Sequence, residues 1–350
     1  MKNFGLNIIA TLFLITNLSC KKTAVEPVEV KIAPTNLQIA ATVATDGSGN
    51  VSITAKADNA NQYKFEFGTG DTREEPSGII QYKYTQNGTN AYTVTVTATS
   101  ASGLTISGTK NISVNVDLSL VKATWSDEFD VNGPPDPTKW VYDIGTGSNG
   151  WGNAELQYYT DRAQNVVVES GLLKVKAVKE SFSGSTWTSA RIKSLGKFAF
   201  TYGTVEIRAK APAGFGTWPA VWMLGADFPT AGWPNCGEID IVEHVGKEKD
   251  KIFASLHYPG RAGGNSVTNT KMISNATTEF HVYRLDWTSA SIKFSVDGAV
   301  FHTVSNSSSI PFNKDFFFLV NLAMGGNFGG PIDAGLSTAT FEVDYIRVYK

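Results

Sequence analysis

Apolar residues alternate with polar ones in short runs that stop at Gly or Asn, and this period-two pattern limits the fold more than any other feature. It is clear in Tyr92-Thr-Val-Thr-Val-Thr-Ala-Thr99 and in Leu104-Thr-Ile-Ser-Gly-Thr-Lys-Asn-Ile-Ser-Val-Asn-Val116. It returns in Leu172-Leu-Lys-Val-Lys-Ala-Val178, Gly203-Thr-Val-Glu-Ile-Arg-Ala-Lys210, Ile292-Lys-Phe-Ser-Val296 and Phe341-Glu-Val-Asp-Tyr-Ile-Arg-Val-Tyr349. Successive strand side chains point to opposite faces, so each run predicts a strand with one face in a core and one toward water. No long segment combines helical apolar spacing with good caps. The expected fold class is all-β, with turns such as Asp297-Gly298 between strands and no internal repeat.

The eight Trp all lie at or after Trp125. This step in composition puts a boundary near Asp117–Val121. Residues 35–117, rich in Thr, Ala, Val, Asn and Ser, are expected to form a small N-terminal β-sandwich. Residues 121–350 are expected to form one large antiparallel sandwich. The net charge is −2, only 18% of residues are charged, and Lys and Arg form no long run. That excludes nucleic-acid binding driven by phosphate neutralisation.

Phe4 to Leu18 is mostly apolar, follows one positive charge at Lys2, and is too short for a comfortable membrane span. It ends in Leu18-Ser19-Cys20-Lys21-Lys22, which resembles a bacterial lipoprotein processing site with Cys20 as the lipidated residue. The alternative is a cleaved signal with an incidental Cys. Residues 1–20 thus read as a signal peptide and 21–34 as a flexible tether. The mature chain is expected outside the cytoplasm, as a membrane-anchored lipoprotein of a bacterial cell envelope that touches the membrane only through that lipid. Two Cys make no disulfide framework, and Cys236, left without a partner, reads as a buried, inert thiol.

The chemistry is concentrated in Trp233-Pro-Asn-Cys-Gly-Glu238-Ile-Asp240-Ile-Val-Glu243-His244. In a regular strand Glu238 and Asp240 share a face and Glu243, five residues on, takes the other. One residue absorbed in a β-bulge would return Glu243 to the first face. Two Glu side chains leaning inward could then approach to roughly 5–6 Å, near the separation for retaining glycoside hydrolysis. Crowded carboxylates cannot all ionise cheaply, so one is kept protonated and can act as an acid while another attacks. The rival readings are a calcium site and a solvated acidic face. A calcium loop usually places Gly, Asn and Asp on a turn, and a solvated face leaves the flanking Trp unexplained.

Gly237-Glu-Ile-Asp-Ile-Val-Glu-His244 resembles the active-site strand of glycoside hydrolase family 16, in its laminarinase (endo-β-1,3-glucanase) branch. Trp125-Ser-Asp-Glu-Phe129, Gly150-Trp-Gly-Asn-Ala-Glu-Leu-Gln-Tyr-Tyr-Thr160, Gly216-Thr-Trp-Pro-Ala-Val-Trp-Met-Leu-Gly225, Leu256-His-Tyr258 and Asn321-Leu-Ala-Met-Gly-Gly-Asn-Phe-Gly-Gly330 extend the resemblance over 121–350. It implies a concanavalin A-like β-jelly-roll with a cleft across its concave sheet. It implies Glu238 as nucleophile, Glu243 as acid/base and Asp240 as assisting acid. Trp218, Trp222 and Trp233 would line the cleft, Asn153 and Arg191 would serve sugar hydroxyls, and His257 would sit near the leaving group. No cofactor is implied for catalysis. A structural calcium held by Asp344, Glu128 and the backbone of Gly171 is implied on the convex side. The implied substrate and partner is a β-1,3-glucan, and a monomer is expected. Mixed-linkage glucan, a marine galactan, or a non-catalytic glucan-binding role are the alternatives. Tyr63-Lys-Phe-Glu-Phe-Gly-Thr-Gly-Asp71 with Tyr82-Lys-Tyr84 resembles a PKD-type immunoglobulin-like module, read as a spacer with weak glycan binding as the alternative.

Overall fold

The computed structural model describes residues 31–117 and 122–350. Cys20, the signal peptide, most of the tether and most of the boundary segment lie outside them. Everything described is built from strands, with helical turns of at most five residues.

The N-terminal part is a small two-sheet unit. Thr35–Val43, Asn50–Asp58 and Ile79–Lys83 form one sheet, and Thr72–Glu74, Gln62–Glu66, Gly88–Thr99 and Thr105–Val116 form the other. The alternation of Thr with Val in Gly88–Thr99 sends Val94, Val96 and Ala98 inward, against Val51, Ile53, Phe65, Phe67 and Val114. The longest pairing, Gly88–Thr99 against Thr105–Val116, is an uninterrupted antiparallel hairpin.

The larger part is a β-jelly-roll of a ten-stranded and a seven-stranded sheet. Pairing is antiparallel except where Gln157–Tyr159 runs parallel to Ser185–Ser189. Val175, Ala177, Val205, Ile207, Leu285, Phe294, Val343 and Ile346 of the ten-stranded sheet meet Val221, Met223, Ile239, Ile252, Ala254, Phe318 and Val320 of the seven-stranded sheet in one core. The strand Phe316–Met324 is buried on both faces. Its even-numbered residues join that core, whereas Phe317 and Leu319 pack with Leu224 and Cys236 in a second cluster on the opposite face. Cys236 is a fully buried free thiol there, and burial pushes its pKa up to about 11.

The small unit is docked on the outer face of the ten-stranded sheet. Leu285 faces the core, so its neighbours Arg284 and Asp286 face outward. Arg284 pairs with Glu206 at 3.1 Å and Asp286 at 2.6 Å, and donates to the carbonyl of Thr85 in the small unit. Lys83 Nζ reaches the carbonyl of Lys350 at 2.9 Å, Ser289 reaches Asp71 at 3.3 Å, and Tyr349 belongs to the small unit's core.

Candidate active site

The strand Glu238–His244 lies between Thr217–Gly225 and Lys251–His257 in the seven-stranded sheet. Glu238 faces Leu224, Asp240 faces Trp222, and Glu243 faces Ala220, so three steps along one strand match two along the other. The same shift occurs against Lys251–His257, where Asp240 pairs with Ser255 and Glu243 with Phe253. The extra residue is accommodated because Ile241 and Val242, adjacent in sequence, both point into the main core. The bulge therefore returns Glu243 to the face of Glu238 and Asp240, away from that core.

Burial sets the electrostatics. Asp240 is 3% and Glu243 9% exposed, while the Glu238 side chain keeps 16%. Desolvation raises the pKa of all three, and those of Glu238 and Asp240 well above their ordinary values. The charge of Asp240 adds to the rise at Glu238, and that of Glu243 to the rise at Asp240. The indole N–H of Trp218 donates to Glu243 Oε1 at 2.9 Å and the hydroxyl of Ser255 to Oε2 at 3.4 Å; both favour the anion and temper the rise. His257 Nε2 lies 3.1 Å from Asp240 Oδ2 and 3.8 Å from Glu238 Oε1. The backbone N–H of Gly263 donates to His257 Nδ1 at 3.0 Å. This assigns the imidazole proton of the neutral ring to Nε2, the nitrogen nearer Asp240. Glu238, Asp240 and His257 are the described acid–histidine group compact enough for a metal, with ligand atoms within 4.8 Å. Neither imidazole nitrogen has a free lone pair in this arrangement, which favours a proton-sharing set over a metal centre.

Beside the acids, Trp222 donates its indole N–H to Asn321 Oδ1 at 2.7 Å. The Asn321 amide donates to the Tyr159 hydroxyl, and that hydroxyl to Glu155, each at 3.1 Å. Arg191 lies between two indoles, 4.6 Å from the Trp151 ring and 4.9 Å from the Trp222 ring, and pairs with Asp143 at 3.0 Å. Asn153 donates to Glu155 at 3.3 Å. Trp233 is 46% exposed, with its ring 6.0 Å from that of His257. Trp218, Trp222, Arg191 and His257 thus gather around the acids. The sequence reading missed Trp151, Tyr159, Ser255 and Asn321. A single Asn in the nine-residue apolar strand Phe316–Met324 is a signal that could have found Asn321.

The three positions chosen for calcium lie along neighbouring pairings, Asp127 opposite Ile346 and Leu173 opposite Val343. Arg347 donates to both oxygens of Glu128, and Arg208 pairs with Asp344. Both carboxylates are spent on guanidinium groups, so the set as it stands does not fit a calcium ion, and no role is derived for one.

The family model of Glycosyl hydrolases family 16 matches residues 153–346. A beta-glucanase of Rhodothermus marinus is 42% identical over 246 residues, covering 65% of this chain and 84% of that protein. Glucan endo-1,3-beta-glucosidase A1 of Niallia circulans is 37% identical over 259 residues, again 65% of this chain but 37% of the longer relative. The solved laminarinase from Rhodothermus marinus matches with a TM-score of 0.63 at 42% identity, covering 65% of this chain and 97% of that one. A bulged strand that crowds three buried acids beside tryptophans, inside a jelly-roll matched over more than half of the chain, has one consistent reading: the chain belongs to glycosyl hydrolase family 16 and is a glycoside hydrolase.

Proposed function

We propose that this protein is an extracellular endo-β-1,3-glucanase that hydrolyses laminarin-type glucan with retention of configuration. The observation that carries the reading is the bulge, which turns Glu238 and Glu243 to one face with Asp240 between them. Glu243, whose pKa burial raises, serves as the acid and gives its proton to the glycosidic oxygen. Glu238 attacks the anomeric carbon from the opposite side, and the C–O electron pair leaves with the departing sugar. Water then attacks the resulting ester, losing its proton to Glu243 and freeing Glu238. Asp240 stands between the two glutamates, 3.1 Å from His257 Nε2, and its charge helps to raise the pKa of the nucleophile Glu238. The exposed Trp233 and the fixed indole of Trp222 offer apolar faces for sugar rings. The names of the relatives, a beta-glucanase and a glucan endo-1,3-beta-glucosidase, support a β-1,3-glucan as substrate. We further propose that the enzyme acts as a monomer, anchored to a bacterial envelope by a lipid on Cys20.

Incubation with laminarin should release reducing sugar, and proton NMR of early products should show the β-anomer before mutarotation. First appearance of the α-anomer would refute the nucleophilic role of Glu238. Turnover confined to mixed-linkage glucan or to agarose, on a panel of defined oligosaccharides, would refute the substrate assignment and leave the chemistry standing.

A further inference from the structure

The two oxygens of Glu243 have unlike partners. Oε1 faces the indole N–H of Trp218 at 2.9 Å, a group that only donates. An oxygen held by such a donor keeps carbonyl character, so the carboxyl proton belongs on the other one. Oε2 faces the hydroxyl of Ser255, which can donate or accept. Ser255 is not isolated: Thr268 Oγ1 donates to Ser255 Oγ at 2.9 Å, and Ser266 Oγ lies 2.7 Å from Thr268 Oγ1. Thr268 is exposed, so this line of hydroxyls runs from Glu243 to the surface across the neighbouring strands Lys251–His257 and Val267–Met272.

We propose that Trp218 and Ser255 are positioning residues that divide the oxygens of Glu243 between them, Trp218 holding Oε1 as an acceptor and Ser255 following the proton on Oε2. The proposal rests on Glu243 being the acid/base. In the first half-reaction the Oε2 proton passes to the glycosidic oxygen as its bond to the anomeric carbon breaks and the bond to Glu238 forms. The Ser255 hydroxyl then rotates to donate to the new carboxylate. In the second half-reaction water delivers its hydroxide to the anomeric carbon and its proton to Oε2, and Ser255 turns back to accept. A residue that must be acid and base within one turnover is thereby served by one fixed donor and one reversible partner. On this reading Trp218 acts through Glu243, beyond lining the cleft as the sequence suggests.

The titratable groups nearest Glu243 on this face are Glu238 and Asp240 on the same strand and His257 and Lys251 on Lys251–His257, the last 5.8 Å from the Phe253 ring, with Arg191, Tyr159 and Glu155 farther off beyond Trp222 and Asn321. The strand Thr217–Gly225 contributes none, and Lys247 sits behind Phe328, 5.6 Å from that ring, which in turn meets the edge of Trp218. All stay in place in Trp218→Phe, which keeps an aromatic ring and removes the N–H. Loss of a donor to the anion makes Glu243 harder to ionise, and the alkaline limb of kcat/KM for laminarin should move up by about one pH unit. The kcat at the optimum should fall about tenfold with KM changed less than about twofold. Ser255→Ala should move the same limb upward by less, and Ser255→Thr should restore it. If Trp218→Phe melts too low to assay, Ser255→Ala with its Thr rescue decides alone. A limb that stays fixed in the folded variants while KM rises overturns the proposal, since that is the signature of lost sugar stacking only. Laminarin hydrolysis surviving in Glu243→Gln marks the separate failure of the acid/base reading.

Discussion

Glu238→Ser should lose laminarin turnover by on the order of 10⁴-fold while binding laminarin within severalfold of the native affinity. The serine oxygen falls short of the anomeric carbon, so no glycosyl ester forms. The surfaces that grip sugar are elsewhere: the Trp222 indole is pinned by Asn321 and Trp233 stands open beside His257. The companion Glu238→Gln, which keeps the volume, should lose turnover as deeply and gain stability. Burial and the neighbouring Asp240 raise the Glu238 pKa in the folded protein. Folding therefore penalises its anion, and the penalty is absent below the ordinary carboxylate value and grows as pH rises through the elevated one. Removing the charge should raise the melting temperature by a few degrees at pH 7, at about 2–4 °C per kcal/mol, with the gain fading toward pH 4. Near-normal turnover in Glu238→Ser would end the nucleophile assignment. An equal melting gain at both pH values would end the account of crowded carboxylates.

The parts of this site that could be read from sequence are those whose signal is local. Glu238, Asp240 and Glu243 sit within six residues, and the odd spacing of the last pair demands a bulge because parity along a strand is strict. The alternation of Gly88–Thr99 likewise announces its own buried face. Residues whose meaning depends on a distant partner leave no such trace. Ser255 is one small polar residue in Lys251–His257, and only the register that sets it opposite Asp240 gives it a place beside Glu243. The chain from Trp222 through Asn321 and Tyr159 to Glu155 crosses three separate segments. The family resemblance implies calcium at Asp344 and Glu128, yet Arg208, far away in sequence, holds the first and Arg347 the second. The seating of the small unit was equally hidden, since its key acceptor is the main-chain carbonyl of Thr85, which has no side-chain signature.

That seating carries the second large effect. Arg284→Leu should destabilise the protein by about 3–5 kcal/mol, because it leaves buried acids without their cation. Arg284 is 6% exposed and Glu206 7%. Its guanidinium lies 3.1 Å from Glu206 and 2.6 Å from Asp286, and the same group donates to the Thr85 carbonyl across the junction. Nearby Tyr92 of the small unit feels the same surroundings: burial first, then the charge of Asp286, pushes its hydroxyl pKa up to about 12. Without the guanidinium, Glu206 and Asp286 would stand close in a desolvated junction, and the Thr85 carbonyl would lose its donor. The expected result in a thermal melt is a fall on the order of 10 °C, with the small unit unfolding ahead of the jelly-roll in a separate transition. Arg284 faces away from the core on the ten-stranded sheet, whereas the acids lie on the outer face of the seven-stranded one, so kcat/KM at 25 °C should stay within about twofold of the native value. A single transition at the native temperature would show that the cluster contributes nothing to the junction. A collapse of kcat/KM in the folded variant would show instead that the small unit shapes the cleft from behind.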